Sequence, residues 1–192
     1  MSSQTSPKQK PRERILETAC TLFRRHGLKG IGVEAIAEAA DTNKMTLYRH
    51  FGSKDELISE CLREIGTRKT AIWSELEAAH PGDALAQLHA WIRMAADIVL
   101  ADERGCDLAN AAVELAEQDH PARKVIQDMK VAYRERLVAL CAAAGLREPE
   151  MVADALSLLV EGARINRQSI GATGPAANFI AVAESIVTNA RR

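Results

Sequence analysis

Aromatic residues are scarce in this chain: two Trp, two Tyr and three Phe make up 4% of 192 residues. Strands draw on aromatic and β-branched residues, and no segment of useful length alternates apolar with polar positions, so no sheet is predicted. Long apolar runs are missing as well. A membrane span needs roughly 18 uninterrupted apolar residues, and nothing here approaches that. The stretch Met1 to Pro11 is polar and basic, without an apolar signal core. The expectation is a cytoplasmic protein with no membrane contact. The four cysteines, Cys20, Cys61, Cys106 and Cys141, form no Cys-x-x-Cys pair and have no His-rich partner segment, so reduced thiols are expected rather than a zinc site. A Gly-rich phosphate loop, a Gly-x-Ser-x-Gly turn and a paired-carboxylate setting are all lacking. The five His are scattered, and Glu114, Glu117 and His120 find no second set of ligands. No enzyme activity, cofactor, metal or catalytic residue is expected.

What the chain does have is helix-forming sequence. Ala, Leu, Glu and Arg dominate a composition that is 47% hydrophobic and 27% charged, and the length suffices for a real core. An all-α fold follows. The net charge of -1 hides an asymmetry: residues 1–54 carry ten Lys and Arg against five acids, leaving fifteen against twenty-one beyond. Unless the clustering is chance, a basic front on an acidic body suits a protein whose one end meets a polyanion.

Met1 to Lys10 lacks apolar residues and reads as a flexible basic arm. Ile15, Leu16, Ala19, Leu22 and Phe23 then recur at helical spacing until Gly27, giving a first helix from Pro11 to His26. Gly32 opens a brief second helix holding Val33, Ile36, Ala37 and Ala40, broken at Asp41-Thr42. Asn43 caps a third helix to Phe51, Gly52 ends it, and Ser53 with Glu56 forms a capping box for a long fourth. Pro81-Gly82 interrupts that helix, whose weak point is Gly66. Asp83 caps a fifth; a sixth runs from about Cys106 to Glu117; Pro121, Pro149 and Pro175 open a seventh, eighth and ninth. The domains read as an arm over 1–10, a three-helix helix-turn-helix over 11–56, and a helical body over 57–192.

At 100° per residue, Leu47 and Phe51 fall about 40° apart and point into the small core. The other side of the third helix offers a polar, basic and aromatic stripe sized for the major groove. The hydroxyls of Thr46 and Tyr48, with His50 and Lys54, suit phosphates; Lys44, Met45 and Arg49 are placed to read bases, Met45 against a thymine methyl. Lys54 sits in the first turn of the next helix, whose backbone amides also favour phosphate. Arg12, Arg14, Lys8 and Lys10 add sequence-independent attraction. Taken singly, each of these positions also reads as ordinary surface or core.

Ile15 to Leu57, with Ile36-Ala37-x-x-Ala40 and above all Thr46-Leu47-Tyr48-Arg49-His50-Phe51-Gly52-Ser53-Lys54-Asp55-Glu56-Leu57, closely resembles the N-terminal signature of the TetR family of bacterial regulators. The chain departs from it at Asp41-Thr42, where the family usually has Gly-Val, at Gly32, usually Ser or Thr, and at Met45, usually small. The last departure falls on the reading face. The resemblance implies a ligand-responsive repressor that binds a palindromic operator in double-stranded DNA as a homodimer. It places the dimer interface in the last two helices, whose apolar residues, Val152, Ala155, Leu156, Leu159, Val160 and Ala163 with Phe179, Ile180, Val182, Ala183, Ile186 and Val187, suffice for one side against the subunit core and another against the partner. It places the pocket for a small-molecule effector among helices four to eight. Gly105-Cys106-x-x-x-Asn110-x-x-x-Glu114 resembles the start of helix six in one branch of the family, and Cys106, Asn110 and Glu114 share one helix face. With Trp73, Trp91, Met94, Tyr133 and Arg164 they are the candidate ligand contacts. The alternative is that Trp91 and Tyr133 are core while Asn110 and Glu114 cap or face water. An enzyme with a DNA-binding head, or a helical dimer without an effector, remains the rival reading.

Overall fold

A computed structural model describes residues 10–117 and 119–191, so the expected arm, apart from Lys10, lies outside the described residues. Among them are nine α-helices and no strand: α1 Pro11–His26, α2 Val33–Ala39, α3 Lys44–Phe51, α4 Lys54–Ala79, α5 Ala84–Ala101, α6 Asp107–Glu114, α7 Pro121–Ala143, α8 Pro149–Ile170 and α9 Phe179–Arg191. The caps read from sequence are made. Asn43 accepts the Thr46 amide at 2.9 Å, Ser53 Oγ accepts the Glu56 amide at 3.0 Å, and Asp83 accepts the Ala86 amide at 2.9 Å. The capping box at Ser53 is only half formed, because the Glu56 carboxylate turns to Arg63 at 2.8 Å instead.

Helix ends differ from the sequence expectation in two places. α6 stops at Glu114 rather than Glu117; Arg123 donates to the carbonyls of Ala112 and Leu115 and so satisfies the end of the helix from outside. Pro175 opens a 3-10 turn, Pro175–Asn178, before α9 begins at Phe179. Gly66 does not break α4. The Met129 side chain lies where a Cβ at Gly66 would stand, its Cε only 2.1 Å from that point, so the glycine admits a close neighbour.

The described chain forms two compact units. One takes in residues up to Ile65 together with Ala111–Ile126; the other takes Gly66–Asn110 and the chain from Gln127 onward. In the second, α5, α8 and α9 pack on one another around Leu88, Trp91, Ile92, Val99, Leu156, Phe179, Ala183 and Val187, with Leu137 and Cys141 in the same core. α5 has the length and apolarity of a membrane span, but Arg93 and Asp97 interrupt it and its apolar side is this core. Burial pushes the Cys141 thiol up to about 11, and no disulfide joins the four cysteines among the described residues.

In the first unit α1, α2 and α3 pack together over Ile15, Ala19, Phe23, Ile36, Ala37, Leu47 and Phe51, with Leu57, Ile58, Cys61 and Leu62 of α4 also buried. The unit reaches past the helix-turn-helix because Glu114, far along the chain, belongs to it. The Glu114 carboxylate accepts the amides of Leu28 at 2.6 Å and Lys29 at 3.3 Å, just after α1 ends at Gly27. Gly27 has φ +80°, and a Cβ there would meet Glu114 Oε2 at 2.9 Å. The loop between α1 and α2 is thus fastened by one carboxylate to two amides that no helix serves. Removing it leaves the buried Leu28 amide without an acceptor. Glu114→Ala is expected to speed hydrogen exchange at the Leu28 amide by about tenfold, the scale of one charge-assisted bond; unchanged exchange there would show that the carboxylate fastens nothing.

Candidate nucleic-acid interface

The turn between α2 and α3 is built from backbone hydrogen bonds. The Thr42 amide reaches back to the Ala37 carbonyl at 2.9 Å and the Asp41 amide to Glu38 at 3.0 Å, the paired bonds of a Schellman ending. Asp41 itself takes φ +48°, the left-handed conformation that glycine adopts most freely and Asp tolerates. This explains how Asp stands where the resembling sequences carry Gly. Arg14 completes the turn: its Nε donates to the Ala40 carbonyl at 2.7 Å and its Nη2 to Asp41 at 3.0 Å. Arg14, expected to add sequence-independent attraction, is therefore committed to the turn. Arg12 is likewise engaged, lying 5.0 Å over the Phe51 ring and pairing with Glu60 at 2.9 Å.

α3 has eight residues, of which Leu47 and Phe51 are buried. Met45 is 79% exposed, and Arg49 is also exposed, while Thr46, Tyr48 and His50 are half-buried. Lys44 reaches across the turn to Glu34 at 2.5 Å and lies 5.8 Å over the Tyr48 ring. Its hydrogen bond holds Glu34 below the usual carboxylate range, and the same bond raises Lys44. Both side chains face water, so the pair is weakly held and Lys44 can exchange its partner. Lys54, in the first turn of α4, lies half-buried with Nζ 5.9 Å over the Phe23 ring. The His50 ring meets Phe51 edge-on at 6.4 Å. All seven residues expected at DNA thus lie on α3 or the first turn of α4.

The candidate ligand contacts are not all brought together. Glu114 belongs to the first unit and holds the α1–α2 loop, while Asn110 Nδ2 donates to the Arg104 carbonyl at 2.7 Å. Both side chains are thus taken up by backbone groups. In the second unit Trp91 Nε1 donates to the Tyr133 hydroxyl at 2.8 Å, Trp73 lies 5.1 Å from the Tyr133 ring, and Met94 packs against the same core. Burial raises the Tyr133 hydroxyl, partly offset by the Trp91 bond and the Arg164 charge. Cys106 is buried with the ammonium groups of Lys69 and Lys130 each 3.7 Å from its sulfur. Lys130 also pairs with Glu161, and Arg164 Nη1 donates to the Gly105 carbonyl at 3.3 Å. Burial alone would raise Glu161, but the Lys130 hydrogen bond and the charges of Lys130, Arg164 and Lys69 outweigh it and hold the carboxyl low. Lys69, Lys130 and Glu161 escape a sequence reading; the faint signal is spacing, since Lys130 and Tyr133 on α7, and Glu161 and Arg164 on α8, are each three apart. Among the described residues no group of three or more His, Cys, Asp or Glu is arranged to hold a metal ion.

Residues 15–61 match the family described as bacterial regulatory proteins, tetR family. The HTH-type transcriptional repressor KstR2 of Rhodococcus jostii is 42% identical over 59 residues, 31% of this chain and 29% of that protein. The chain spans about a quarter to a half of the length of the first curated relatives it matches. Solved structures agree over nearly the whole chain. A TetR-type transcriptional regulator of Streptomyces avermitilis, SAV143, superposes with a TM-score of 0.81 at 30% identity, covering 95% of this chain and 98% of that one. SCO4454, a TetR-family regulator from Streptomyces coelicolor, superposes with a TM-score of 0.87 at 24% identity over 95% and 96%. The wedged α3, the turn before it and this end-to-end likeness place the chain in the TetR family of bacterial transcriptional regulators.

Proposed function

We propose that this protein is a homodimeric, ligand-released transcriptional repressor: α3 reads a palindromic operator, the second unit holds a small-molecule effector, and α8 with α9 joins two copies. The observation that carries the DNA-binding part is the two-sidedness of α3. Leu47 and Phe51 are sunk in the core while Met45 and Arg49 stand out in water. A large thioether exposed beside a guanidinium gains nothing for stability and suits contact with base edges. Tyr48, Thr46, His50 and Lys54 flank it with hydroxyl, imidazole and ammonium groups for phosphates, and Lys44 leaves Glu34 for a stronger anion. The matching family and the similar proteins are named as transcriptional regulators, which supports a regulator over an enzyme.

The dimer reading is supported by α8. Val152, Leu156 and Ala163 are buried within the unit, yet Met151, Leu158 and Ile165, spaced by seven on the other side, are exposed. At 100° per residue the two stripes lie about 140° apart. Gly162, open to solvent with nothing near its missing Cβ, falls within the exposed stripe and allows a partner helix close approach. Ile180 and Val182 extend the apolar surface on α9. A second copy is the natural cover, since a two-fold axis matches a palindromic site with half-sites about 34 to 36 Å apart or multiples of that. Effector binding in one state and DNA binding in the other then couple by about 1 to 3 kcal/mol, or 5- to 150-fold in operator affinity. The candidate effector contacts are Trp73, Trp91, Met94, Cys106, Tyr133 and Arg164.

Footprinting on the DNA upstream of the gene, followed by binding titrations, tests the DNA reading. Tyr48→Ala and Lys54→Ala are expected to weaken operator and random duplex alike, Lys54→Ala lowering the salt slope by about 1, while Arg49→Ala costs about 1 to 3 kcal/mol and also relaxes base preference. If all three bind operator and random DNA as the unmutated chain does, α3 is not the reading helix. For the dimer, sedimentation of Leu158→Glu is expected to give monomers where the unmutated chain gives dimers; a variant that stays dimeric moves the interface elsewhere.

A further inference from the structure

We propose that the second unit recognises an organic carboxylate, whose charged end is held by Lys69, Lys130 and Arg164; this rests on reading that unit as the effector-binding part. Three cations from three helices, α4, α7 and α8, meet here with one carboxylate, Glu161. Glu161 already serves Lys130. Among the described residues the hydrogen-bond acceptor that Lys69 reaches is the sulfur of Cys106 at 3.7 Å, a weak one. Arg164 is less satisfied still. Its Nη1 reaches one backbone carbonyl at a long 3.3 Å, and its Nε is buried with no acceptor. Native proteins seldom leave a buried guanidinium nitrogen orphaned, and the orphan calls for an acceptor. Nε forms one half of the fork edge with which guanidinium takes a planar carboxylate. Packing explains none of this, since an apolar residue at position 164 would fill the space beside Tyr133 without an unmet donor.

The setting fits a ligand that is part apolar. The cluster borders Tyr133, whose ring meets Trp73 and whose hydroxyl is held by Trp91, and both tryptophans of the chain are in this unit. An inorganic anion would satisfy the charge but make no use of these rings. Glu161 then acts as a resident competitor, occupying Lys130 until a ligand carboxylate arrives. It also repels a second negative charge, which favours a monoanion.

The test is calorimetry on the full chain with two matched pairs, octanoate against octanamide and 2-naphthoate against 2-naphthamide, with inorganic phosphate as a third arm. At least one carboxylate is expected to bind tenfold or more tightly than its amide, and phosphate weakly or not at all. Arg164→Gln and Lys69→Gln are each expected to lose about tenfold for the carboxylate and leave the amide unchanged; Lys69, half-buried on α4, provides the variant that folds should Arg164→Gln not. Glu161→Gln is expected to bind the carboxylate more tightly, a change of sign that a scaffolding role does not give. Amides binding as well as carboxylates, phosphate binding as well as either, no binding of any carboxylate at millimolar concentration, or variants indistinguishable from the unmutated chain would each overturn the proposal. Operator binding by the ligand-free chain is measured separately. A chain that selects carboxylates but prefers no duplex keeps this site and loses the regulator, whereas one that grips its operator and ignores carboxylates loses only the site.

Discussion

A helix of eight residues has no independent stability in water; nucleating it costs more than its few hydrogen bonds return. α3 exists because Leu47 and Phe51 are buried, each contributing about 1.5 to 3 kcal/mol in apolar transfer. The same two residues fix its rotation about its own axis. With them down, Met45 and Arg49 can only point out, so the stability of the helix and the face it exposes are set by one packing event. The N-cap at Asn43 and the positive-φ Gly52, whose amide bonds the Tyr48 carbonyl, close the two ends and keep the helix from sliding along that wedge.

The turn that feeds α3 carries one of the sequence's three departures from the family pattern, and the structure shows how it is absorbed. Asp41 sits in a left-handed conformation that costs a non-glycine residue free energy. Arg14, one helix away, donates two charge-assisted bonds to the carbonyls of Ala40 and Asp41. The strain of the turn is offset by a cation that would otherwise be free for phosphate. The basic front counted from sequence is thus less available than its formal charge: Arg12 and Arg14 are structural, Lys44 is shared with Glu34, and Arg49 and Lys54 remain unpaired by carboxylates in the described contacts.

The helices were legible because their signals are local. Apolar spacing, Asn43, Ser53 and Asp83 as caps, and Pro at helix starts all act within a few residues, and the structure places the elements accordingly. What was not legible acts across the chain. Glu114 looked like a pocket residue because it follows Cys106 and Asn110 at helical spacing, yet Leu28, 86 positions away, is its partner. Lys69, Lys130 and Glu161 come from three helices, and no local pattern announces that they meet. The ending of α6 failed for the same reason, since Arg123 arrives from outside the helix to take its last carbonyls. Periodicity reports which side of a helix is apolar; it does not report which polar side chain will travel to satisfy another element's loose ends.

That distinction bears on how a bound ligand and the reading helix would communicate. The chain passes between its two units three times, within α4, within α6 and within α7. α6 is the shortest of these, with Cys106 and Gly105 at its start in one unit and Glu114 at its end in the other. On the proposed ligand reading, Arg164 holds the Gly105 carbonyl through Nη1 and offers its unmet Nε to the incoming carboxylate, so one guanidinium joins the ligand to the start of α6. The last residue of that helix is Glu114, whose carboxylate fastens the loop between α1 and α2. The physical requirement for coupling is differential contact in two states, and the Glu114 hydrogen bonds are the contact whose loss would be felt in the DNA-binding unit.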